Sequence, residues 1–243
     1  MEELIVNFDN PVDPEWCAIA PMRPSLLTSL WLSGLREGQL GSVLLVTTNL
    51  KRLHWEWEYD AVYKHPLNQP ILDLDTSYAA LGHVRHSLRE LVIKADCPLQ
   101  DDIAQPWLEI RGSPTSLMHF TLDRLEIPLP FLVTFKSTNR NRLEEVVPRT
   151  VKSLIIAADL NPHLSFPRSG AHHQINLNEW DDVLLCDVVE EWSRCWPHLY
   201  AELNHVTVPL QHIHWDPTHA DTLRLAARLE LLSKQTGVEI KLD

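Results

Sequence analysis

The sequence predicts an α/β fold in which short parallel strands alternate with helices and pair into one open sheet. The main observation is a pattern of apolar residues, leucine-x-x-leucine-x-apolar with valine at some positions, which occurs six times in short β-like runs. The residues between the apolar positions are often polar, so one face of each strand is expected to meet water. The six copies are Leu27-Leu30-Leu32, Leu50-Leu53-Trp55, Leu88-Leu91-Ile93, Leu122-Leu125-Ile127, Val151-Leu154-Ile156 and Leu203-Val206-Val208.

The spacing of these copies predicts a degenerate repeat protein. Successive copies begin 23, 38, 34, 29 and 52 residues apart, whereas a regular leucine-rich repeat has a period of about 20–29 residues. A doubly wound sheet would need strands that are apolar on both faces and a glycine-rich first turn. The chain has seven glycines and neither a dinucleotide-binding nor a P-loop motif. The expected fold is therefore a degenerate leucine-rich-repeat-like horseshoe, with a parallel, curved sheet and with helices on the convex side.

Helical periodicity appears in the segments between the copies. Asp75 and Thr76 are the expected N-caps of the second helix, because short polar side chains accept hydrogen bonds from the first free N–H groups. Gly237 is the expected C-cap of the last helix. The predicted helices cover residues 37–46, 75–86, 178–196 and 218–235.

The remaining segments divide into a strand, a loop and a terminal arm. Residues 238–242 alternate between apolar and polar, which predicts a seventh strand. Residues 162–178 are polar and contain proline and glycine, which predicts a loop. Residues 1–24 are expected to form an N-terminal arm or cap, and residues 25–243 the repeat domain.

Composition and charge narrow the classes of function. The chain has 243 residues, of which 44% are hydrophobic and 22% charged, and these fractions are typical of a folded protein. The formal net charge of -12 repels phosphate backbones and anionic lipid. We therefore expect neither nucleic acid nor a membrane as a partner, whereas a basic protein would be attracted.

The cysteines and the N-terminus predict a cytoplasmic or nuclear location. Cys17, Cys97, Cys186 and Cys195 are far apart in sequence, which is typical of reduced thiols. The first residues carry acids where a signal peptide carries basic residues, and they lack its apolar core. The sequence has no run of about 18 apolar residues, so no membrane span is predicted.

Candidate chemistry is sparse, and no catalytic residue or cofactor is predicted. The best metal candidates are His212, His214, Asp216 and His219, where two imidazoles on one side of a strand precede a carboxylate. The pattern is short in a chain with 13 histidines, so a polar loop without metal is the favoured interpretation. His172 and His173 fall in the predicted loop with no obvious partner.

The wet face of the strands is the predicted binding surface. Trp55 and Trp57 should both point into the core by the two-residue period, whereas Trp31 should point to the wet face. Aromatic and arginine side chains are common where interfaces bind tightly. The candidate partner-binding residues on this face are Trp31, Arg52, His54, Glu56, Glu90, Lys94, Arg124 and Glu126.

Three runs of sequence resemble the leucine-rich-repeat region of fungal F-box-like proteins. They are SLRELVIKAD at 87–96, FTLDRLEIPLPFLV at 120–133 and EEVVPRTVKSLIIAADL at 144–160. The resemblance covers residues 25 to 243, and it implies the substrate-reading half of a ubiquitin ligase receptor. The 26 residues before the first repeat are fewer than the module of about 40 residues that docks a Skp1-type adaptor. An F-box and its Skp1-type adaptor are therefore not expected.

These observations predict a non-enzymatic module that recognises a protein partner on its concave sheet. An alternative is a small-molecule-binding or enzymatic protein that uses the histidine-bearing inserts at 162–178 and 209–220 as a pocket. A truncated or orphaned F-box-like protein is a third possibility that the sequence leaves open.

Overall fold

In the part of the chain that the structure describes, ten strands form two sheets, and the larger sheet holds eight parallel strands. The computed structural model describes residues 2–8, 24–59, 69–96, 109–133, 142–160, 182–209 and 220–242. The order in the large sheet is β1-β2-β3-β5-β7-β8-β9-β10, which is the order of these strands along the chain. The strands are β1 Glu3–Asn7, β2 Ser29–Ser33, β3 Arg52–Glu58, β4 Ile71–Asp73, β5 Glu90–Asp96, β6 Glu109–Arg111, β7 Arg124–Pro128, β8 Ser153–Ala157, β9 His205–Val208 and β10 Glu239–Leu242.

Helices lie in the connections between the strands, as the sequence predicts for an α/β fold. Short 3₁₀ helices at Gly82–Val84 and Pro114–His119 accompany them. No helix in the described part of the chain has both the length and the apolar character that are needed to span a membrane. The α-helices are α1 Glu37–Leu44, α2 Leu74–Leu81, α3 Leu129–Val133, α4 Leu143–Val146, α5 Asp182–Ser193, α6 Trp196–Leu199 and α7 Ala220–Thr236.

All six copies of the apolar pattern are strands of the large sheet, and their second apolar residues are in register. Leu30 pairs with Leu53, Leu53 with Leu91, and Leu91 with Leu125. The row continues through Leu154 and Val206. Since the side-chain period of a strand is two, this register sends the same apolar positions of every copy to one face.

The same pair of backbone hydrogen bonds recurs at each step of the sheet from β1 to β9. The carbonyl of Thr28 accepts from the N–H groups of Lys51 and Arg52, at 2.8 and 3.0 Å. The carbonyl of Lys51 then accepts from Arg89 and Glu90 at the next strand. At the later steps, Arg89, Asp123 and Lys152 correspond to Lys51. The carbonyl of each accepts hydrogen bonds from two N–H groups in the same way. The hydrogen bonding between successive strands is therefore constant, although the segments that connect the strands differ in length.

One core lies between the apolar face of the sheet and the helices. Trp55 and Trp57 are fully buried in it, as the two-residue period predicts. Trp192 and Trp196 join them from α5 and α6 and make an edge-to-face contact, with ring centroids 4.9 Å apart. The indole N–H of Trp55 donates to the carbonyl of Leu35 at 2.8 Å, which attaches the sheet to the segment before α1.

The N-terminal segment contributes an edge strand that sequence analysis did not predict. The segment was expected to be an arm or cap, and its residues Glu3–Asn7 pair with Ser29–Ser33 as β1. Its side chains are mostly exposed, so no clear alternation of burial marks it as a strand. The short strands β4 and β6, which form the second sheet, were also not predicted.

The N-cap of the second helix differs from the prediction. Asp73, rather than Asp75 or Thr76, caps α2, and its carboxylate accepts the N–H of Thr76 at 2.9 Å. The carboxylate of Asp75 instead accepts the N–H of Ser113 at 3.0 Å. Either acid would suit the position chemically, and the backbone selects Asp73 because its conformation is extended.

The other predicted helices and the last strand agree with the structure where it describes them. The helix predicted over 37–46 ends two residues earlier, and that over 218–235 is observed as Ala220–Thr236. The helix predicted over 178–196 is observed from Asp182 to Ser193, and its first residues lie outside the described part of the chain. The loop predicted over 162–178 also lies outside it.

Candidate functional site

The face of the large sheet that points away from the core carries all eight predicted partner-binding residues, and we call it the open face. The two-residue period places Arg52, His54 and Glu56 of β3 there, and each is partly exposed, in contrast to Leu53 and Trp55 between them. Residues that are register partners across neighbouring strands form a row. The first row of the open face consists of Ser29, Arg52, Glu90, Arg124, Ser153, His205 and Glu239. The second row consists of Trp31, His54, Val92, Glu126, Ile155, Thr207 and Lys241.

Trp31, His54 and Glu56 form one contact group on the open face. The rings of Trp31 and His54 are stacked, with centroids 3.9 Å apart and planes 11° apart. The Nε2 atom of His54 lies 3.0 Å from Oε1 of Glu56. Since the carboxylate can only accept, Nε2 carries the hydrogen in this contact. Trp31 is 39% exposed, which is unusual for so large an apolar side chain and confirms its predicted position on the wet face.

The His54 imidazole is neutral at pH 7. Burial lowers the pKa of His54 below its ordinary value of 6.5, and the nearby Lys94 ammonium acts in the same direction. The carboxylates of Glu56 and Glu126 oppose this shift without reversing it. The contact group therefore presents two π faces and one negative charge, which belongs to Glu56.

Lys94, Glu126 and Arg124 form a second contact group, one and two strands further along the sheet. Glu126 accepts from the Lys94 ammonium and, at 2.8 Å, from the Arg124 guanidinium. Burial acts to raise the pKa of Glu126, but the hydrogen bonds and charges of Lys94 and Arg124 outweigh it and hold that pKa below its ordinary value. Glu126 is thus ionised at neutral pH and holds two cations in place on β5 and β7.

The two remaining predicted residues, Arg52 and Glu90, lie in the first row. Glu90 on β5 is the register partner of Arg52 on β3 and of Arg124 on β7. Opposite charges on directly opposed residues stabilise neighbouring strands. The eight predicted residues thus form one continuous surface across β2, β3, β5 and β7.

Asp159 belongs to the same surface, and sequence analysis did not identify it. The strands β5 and β7 pair over three residues, Glu90–Val92 with Arg124–Glu126. Pro128 at the end of β7 has no N–H group to extend the pairing. The carboxylate of Asp159 instead accepts the N–H of Ala95 at 3.1 Å, and burial raises the pKa of Asp159 above its ordinary value. A carboxylate two residues after the end of β8 was the available signal.

A buried ion pair between Arg36 and Glu37, which was not predicted from the sequence, lies beneath the sheet. The Arg36 guanidinium donates to the Glu37 carboxylate at 3.2 Å and to the carbonyl of Ile71 at 2.6 Å, and it lies 4.7 Å from the Trp57 ring centroid. Glu37 also accepts the indole N–H of Trp57 at 3.0 Å. These contacts connect α1, β3 and β4, so they have a structural role.

No metal-binding cluster is found where the structure can be described. Within the described ranges, no group of three or more histidine, cysteine, aspartate or glutamate side chains is placed to hold a metal ion. The metal candidates His212, His214, Asp216 and His219 lie outside those ranges, as do His172 and His173. Neither Cys186 nor Cys195 forms a disulfide. Burial raises the pKa of the Cys195 thiol, which disfavours a thiolate nucleophile at that position.

An open cleft of about 510 Å³ lies beside the 3₁₀ helix Pro114–His119, α4 and α6. His119, Glu144, Glu145 and Arg149 contribute its ionisable side chains. The cleft lies apart from the open face, and none of the predicted binding residues contributes to it.

Comparison of the chain with models of protein families, with curated proteins and with solved structures finds no match in any of the three. The chain's own geometry is therefore the basis for proposing a function.

Proposed function

We propose that this chain is a non-enzymatic protein-recognition module that binds a segment of another protein on its open face. The observation that carries the proposal is the continuous surface from Trp31 to Glu126. On it, an exposed aromatic stack lies beside charged side chains that are already fixed by contacts with one another. Tryptophan and arginine are the residue types that contribute most to binding at protein interfaces.

Preorganisation of these side chains favours binding over simple exposure to solvent. A free side chain loses rotamer freedom when it binds, at a cost of about 0.5–1.5 kcal/mol each. On the open face, His54 is held by Trp31 and Glu56, while Arg124 is held by Glu126. These side chains have therefore lost part of their rotamer freedom in the unbound protein, so binding costs less conformational entropy.

The sheet also supports a leucine-rich-repeat-like architecture, with the open face as the concave surface of a horseshoe. Sequential strand order, parallel pairing and the recurring pair of hydrogen bonds at each step are expected of stacked repeats. In such solenoids, the strand face opposite the helices provides an extended binding surface. We extend the proposal to a role like that of the substrate-reading half of a fungal F-box-like protein, which the sequence runs at 87–96, 120–133 and 144–160 resemble.

A triple substitution on the open face tests the proposal. Trp31→Ala, His54→Ala and Arg124→Ala together should abolish capture of partner proteins in affinity purification with mass spectrometry from cells that express the tagged chain. All three side chains are partly exposed, so the fold should be retained, which circular dichroism checks. Unchanged recovery of every specific partner would refute the open face as the binding surface.

A matched control places similar changes on the helical side of the molecule. Leu45→Ala, His83→Ala and Arg85→Ala remove one large apolar, one histidine and one arginine side chain from exposed positions near α1 and α2. This control should capture the same partners as the unmodified chain. Recovery of a Skp1-type adaptor with the unmodified chain would show that the adaptor-docking function accompanies substrate reading.

A further inference from the structure

The strand β1 ends the large sheet on one side, and no strand of the described residues pairs with its outer edge. Successive peptide groups of a strand point to opposite sides, so alternate residues bond to each neighbouring strand. Phe8, directly after β1, donates its N–H to the carbonyl of Ser33 at 2.9 Å. Counting back from Phe8, the even-numbered residues bond to β2. The outward N–H and C=O groups belong to Glu3, Ile5 and Asn7.

The side chains of β1 are apolar and exposed, which is unusual for an edge strand. Ile5 is 65% exposed and Leu4 42%. Natural edge strands are commonly protected from pairing by lysine, by proline or by a bulge. The sequence of β1, ELIVN, has neither lysine nor proline. At the other end of the sheet, β10 has Lys241, whose ammonium lies 3.0 Å from the carboxylate of Glu239. The β1 edge is therefore the better template for another strand.

A second copy of β1 complements these outward groups. A two-fold axis perpendicular to the sheet at Ile5 places two β1 strands antiparallel, so that both copies use the same surface. Ile5 then faces Ile5 of the other copy, and Glu3 faces Asn7. Directly opposed residues of this kind exchange both N–H···O=C hydrogen bonds, so every outward group of both strands is paired. Any other symmetric register leaves some of these groups without a partner.

The side chains of the two strands also match in charge and polarity. Glu3 faces the uncharged amide of Asn7, and the two Glu3 carboxylates are about 14 Å apart along the strand direction. That distance exceeds the Debye length of about 8 Å at physiological ionic strength. On the other face of the sheet, Leu4 of one copy faces Val6 of the other. Pairing thus removes the exposed side chains of Leu4 and Ile5 from water without opposing like charges.

We propose that two copies of this chain form a dimer by antiparallel pairing of their β1 strands, centred on Ile5. The proposal goes beyond the protein-recognition function and does not depend on it. A two-fold axis perpendicular to the sheet keeps both open faces on the same side of the dimer. Since Ile5 is the register partner of Trp31, these apolar side chains of the two copies form one row across the joined open faces.

The expected dimer is weak, for two reasons. A contact along one strand edge buries less than the about 1,600 Å² of a standard stable interface. Each copy also has a formal net charge of -12, so two copies repel each other at long range. We therefore expect the dimer to dissociate in the micromolar range and to become tighter as salt screens the repulsion.

Sedimentation equilibrium of the purified chain, at micromolar to millimolar concentrations, tests the dimer. Ile5→Lys should weaken association roughly tenfold or more, because two ammonium groups replace two isoleucines that contact each other. Ile5→Glu should weaken it similarly. An equimolar mixture of the two variants should restore the dimer, because opposite charges then face each other at the axis. Leu231→Lys on α7 is the matched control, since that apolar side chain is 56% exposed, and it should associate like the unmodified chain.

Amide hydrogen exchange locates the contact even if a variant does not fold. Raising the concentration of the unmodified chain should slow exchange at Glu3, Ile5 and Asn7, because their N–H groups donate to the second copy. Leu4 and Val6 already bond to β2, so their exchange should slow less. Equal slowing along the whole of β1 would contradict the proposed pairing.

Other arrangements of the β1 edge give different results. A head-to-tail contact of β1 with β10 of another copy gives assemblies that grow beyond a dimer. A chain that stays monomeric at every concentration leaves the β1 edge to a strand of an unrelated protein. Either result would overturn the proposal, as would a dimer that Ile5→Lys leaves intact or a mixture of Ile5→Lys and Ile5→Glu that stays monomeric. A monomeric chain would not affect the proposal of protein recognition on the open face.

Discussion

The contacts of single side chains decide which predicted residues act together. Glu126 shows this most clearly, because it bridges Lys94 on one strand and Arg124 on its own. From the sequence, these three residues share a face by the two-residue period. Their mutual contacts depend on the register between β5 and β7, which the sequence pattern does not specify by itself.

Replacement of Glu126 by glutamine should destabilise the fold in a pH-dependent way. The pKa of Glu126 lies below its ordinary value of 4.5 in the folded state. Its ionised form therefore stabilises the fold fully above pH 4.5, and this contribution is lost as the pH falls through the lower, folded-state pKa. We expect Glu126→Gln to reduce the free energy of unfolding by about 1 kcal/mol at pH 7, and by progressively less in strong acid.

Urea denaturation at several pH values measures this effect. Glu90→Gln is the control, because it removes a carboxylate from the adjacent strand on the same face. A deficit for Glu126→Gln that stays constant from pH 7 down to pH 2.5 would contradict the assigned ion pairs.

The buried pair of Arg36 and Glu37 shows the limit of residue-level prediction. Adjacent charged residues before a helix usually lie at the surface, and acids near a helix N-terminus interact with its dipole. Both side chains are instead about nine-tenths buried. Their partners Trp57, Gln69 and Ile71 are 20 to 35 positions away in the chain, so only the folded structure brings them together.

At the scale of elements, the apolar and alternating patterns predicted the six inner strands and the edge strand β10 of the large sheet, but not the edge strand β1. All six copies and the segment 238–242 are strands of one sheet. Their signal is strong because every copy buries the same positions against the core. The edge strand β1 buries little, so the pattern that identifies the others is weak there.

Close packing at Gly34 indicates that the end of β1 is attached to the end of β2 at this position. Gly34 has a φ of +71°, and a Cβ atom there would lie 2.1 Å from the carbonyl oxygen of Phe8. Phe8 donates its N–H to Ser33 at 2.9 Å, which closes the end of β1 onto β2. Gly34→Ala should displace this end and reduce the free energy of unfolding by about 1–3 kcal/mol.

Amide hydrogen exchange on β1, together with chemical denaturation, measures the loss. Gly38→Ala in α1 is the matched control, since a Cβ atom there meets no atom within 4 Å. Alanine is the better helix former, so Gly38→Ala should stabilise the fold by about 0.5–1 kcal/mol. Equal exchange of β1 amides in Gly34→Ala and the unmodified chain would contradict this account of the β1 attachment.

At the scale of the whole molecule, the order of the strands determines how stability is distributed. Each strand of the large sheet pairs with the strands adjacent to it in sequence order, so interactions in the sheet are between neighbours. In such arrays, terminal units have one neighbour and open more readily than central units. The end strands β1 and β10 are also the most exposed.

Native-state hydrogen exchange should therefore show a gradient along the sheet. We expect amides of β3, β5 and β7 to exchange at the rate of global unfolding, and those of β1 and β10 to exchange faster through local opening. Residue-resolved measurements by NMR or mass spectrometry decide the point. Equal protection from β1 to β10 would show that the sheet unfolds as one unit without fraying.

The sequence by itself determined the α/β class, seven of the ten strands in the described part of the chain, and the face on which each predicted binding residue lies. This was possible because a strand has a period of two, and because the apolar positions of each copy must be removed from water. Trp31, Arg52, His54, Glu56, Glu90, Lys94, Arg124 and Glu126 were assigned to the wet face on this basis, and all of them lie on the open face.

The tertiary structure alone decided which of these side chains touch and what charge surrounds them. The stack of Trp31 on His54, the contact between Lys94 and Glu126, and the position of Lys94 opposite Glu56 all depend on strand register. Register is set jointly by the core, by the recurring backbone hydrogen bonds and by segments of unequal length between strands. These are non-local interactions, so a pattern within one strand carries no information about them.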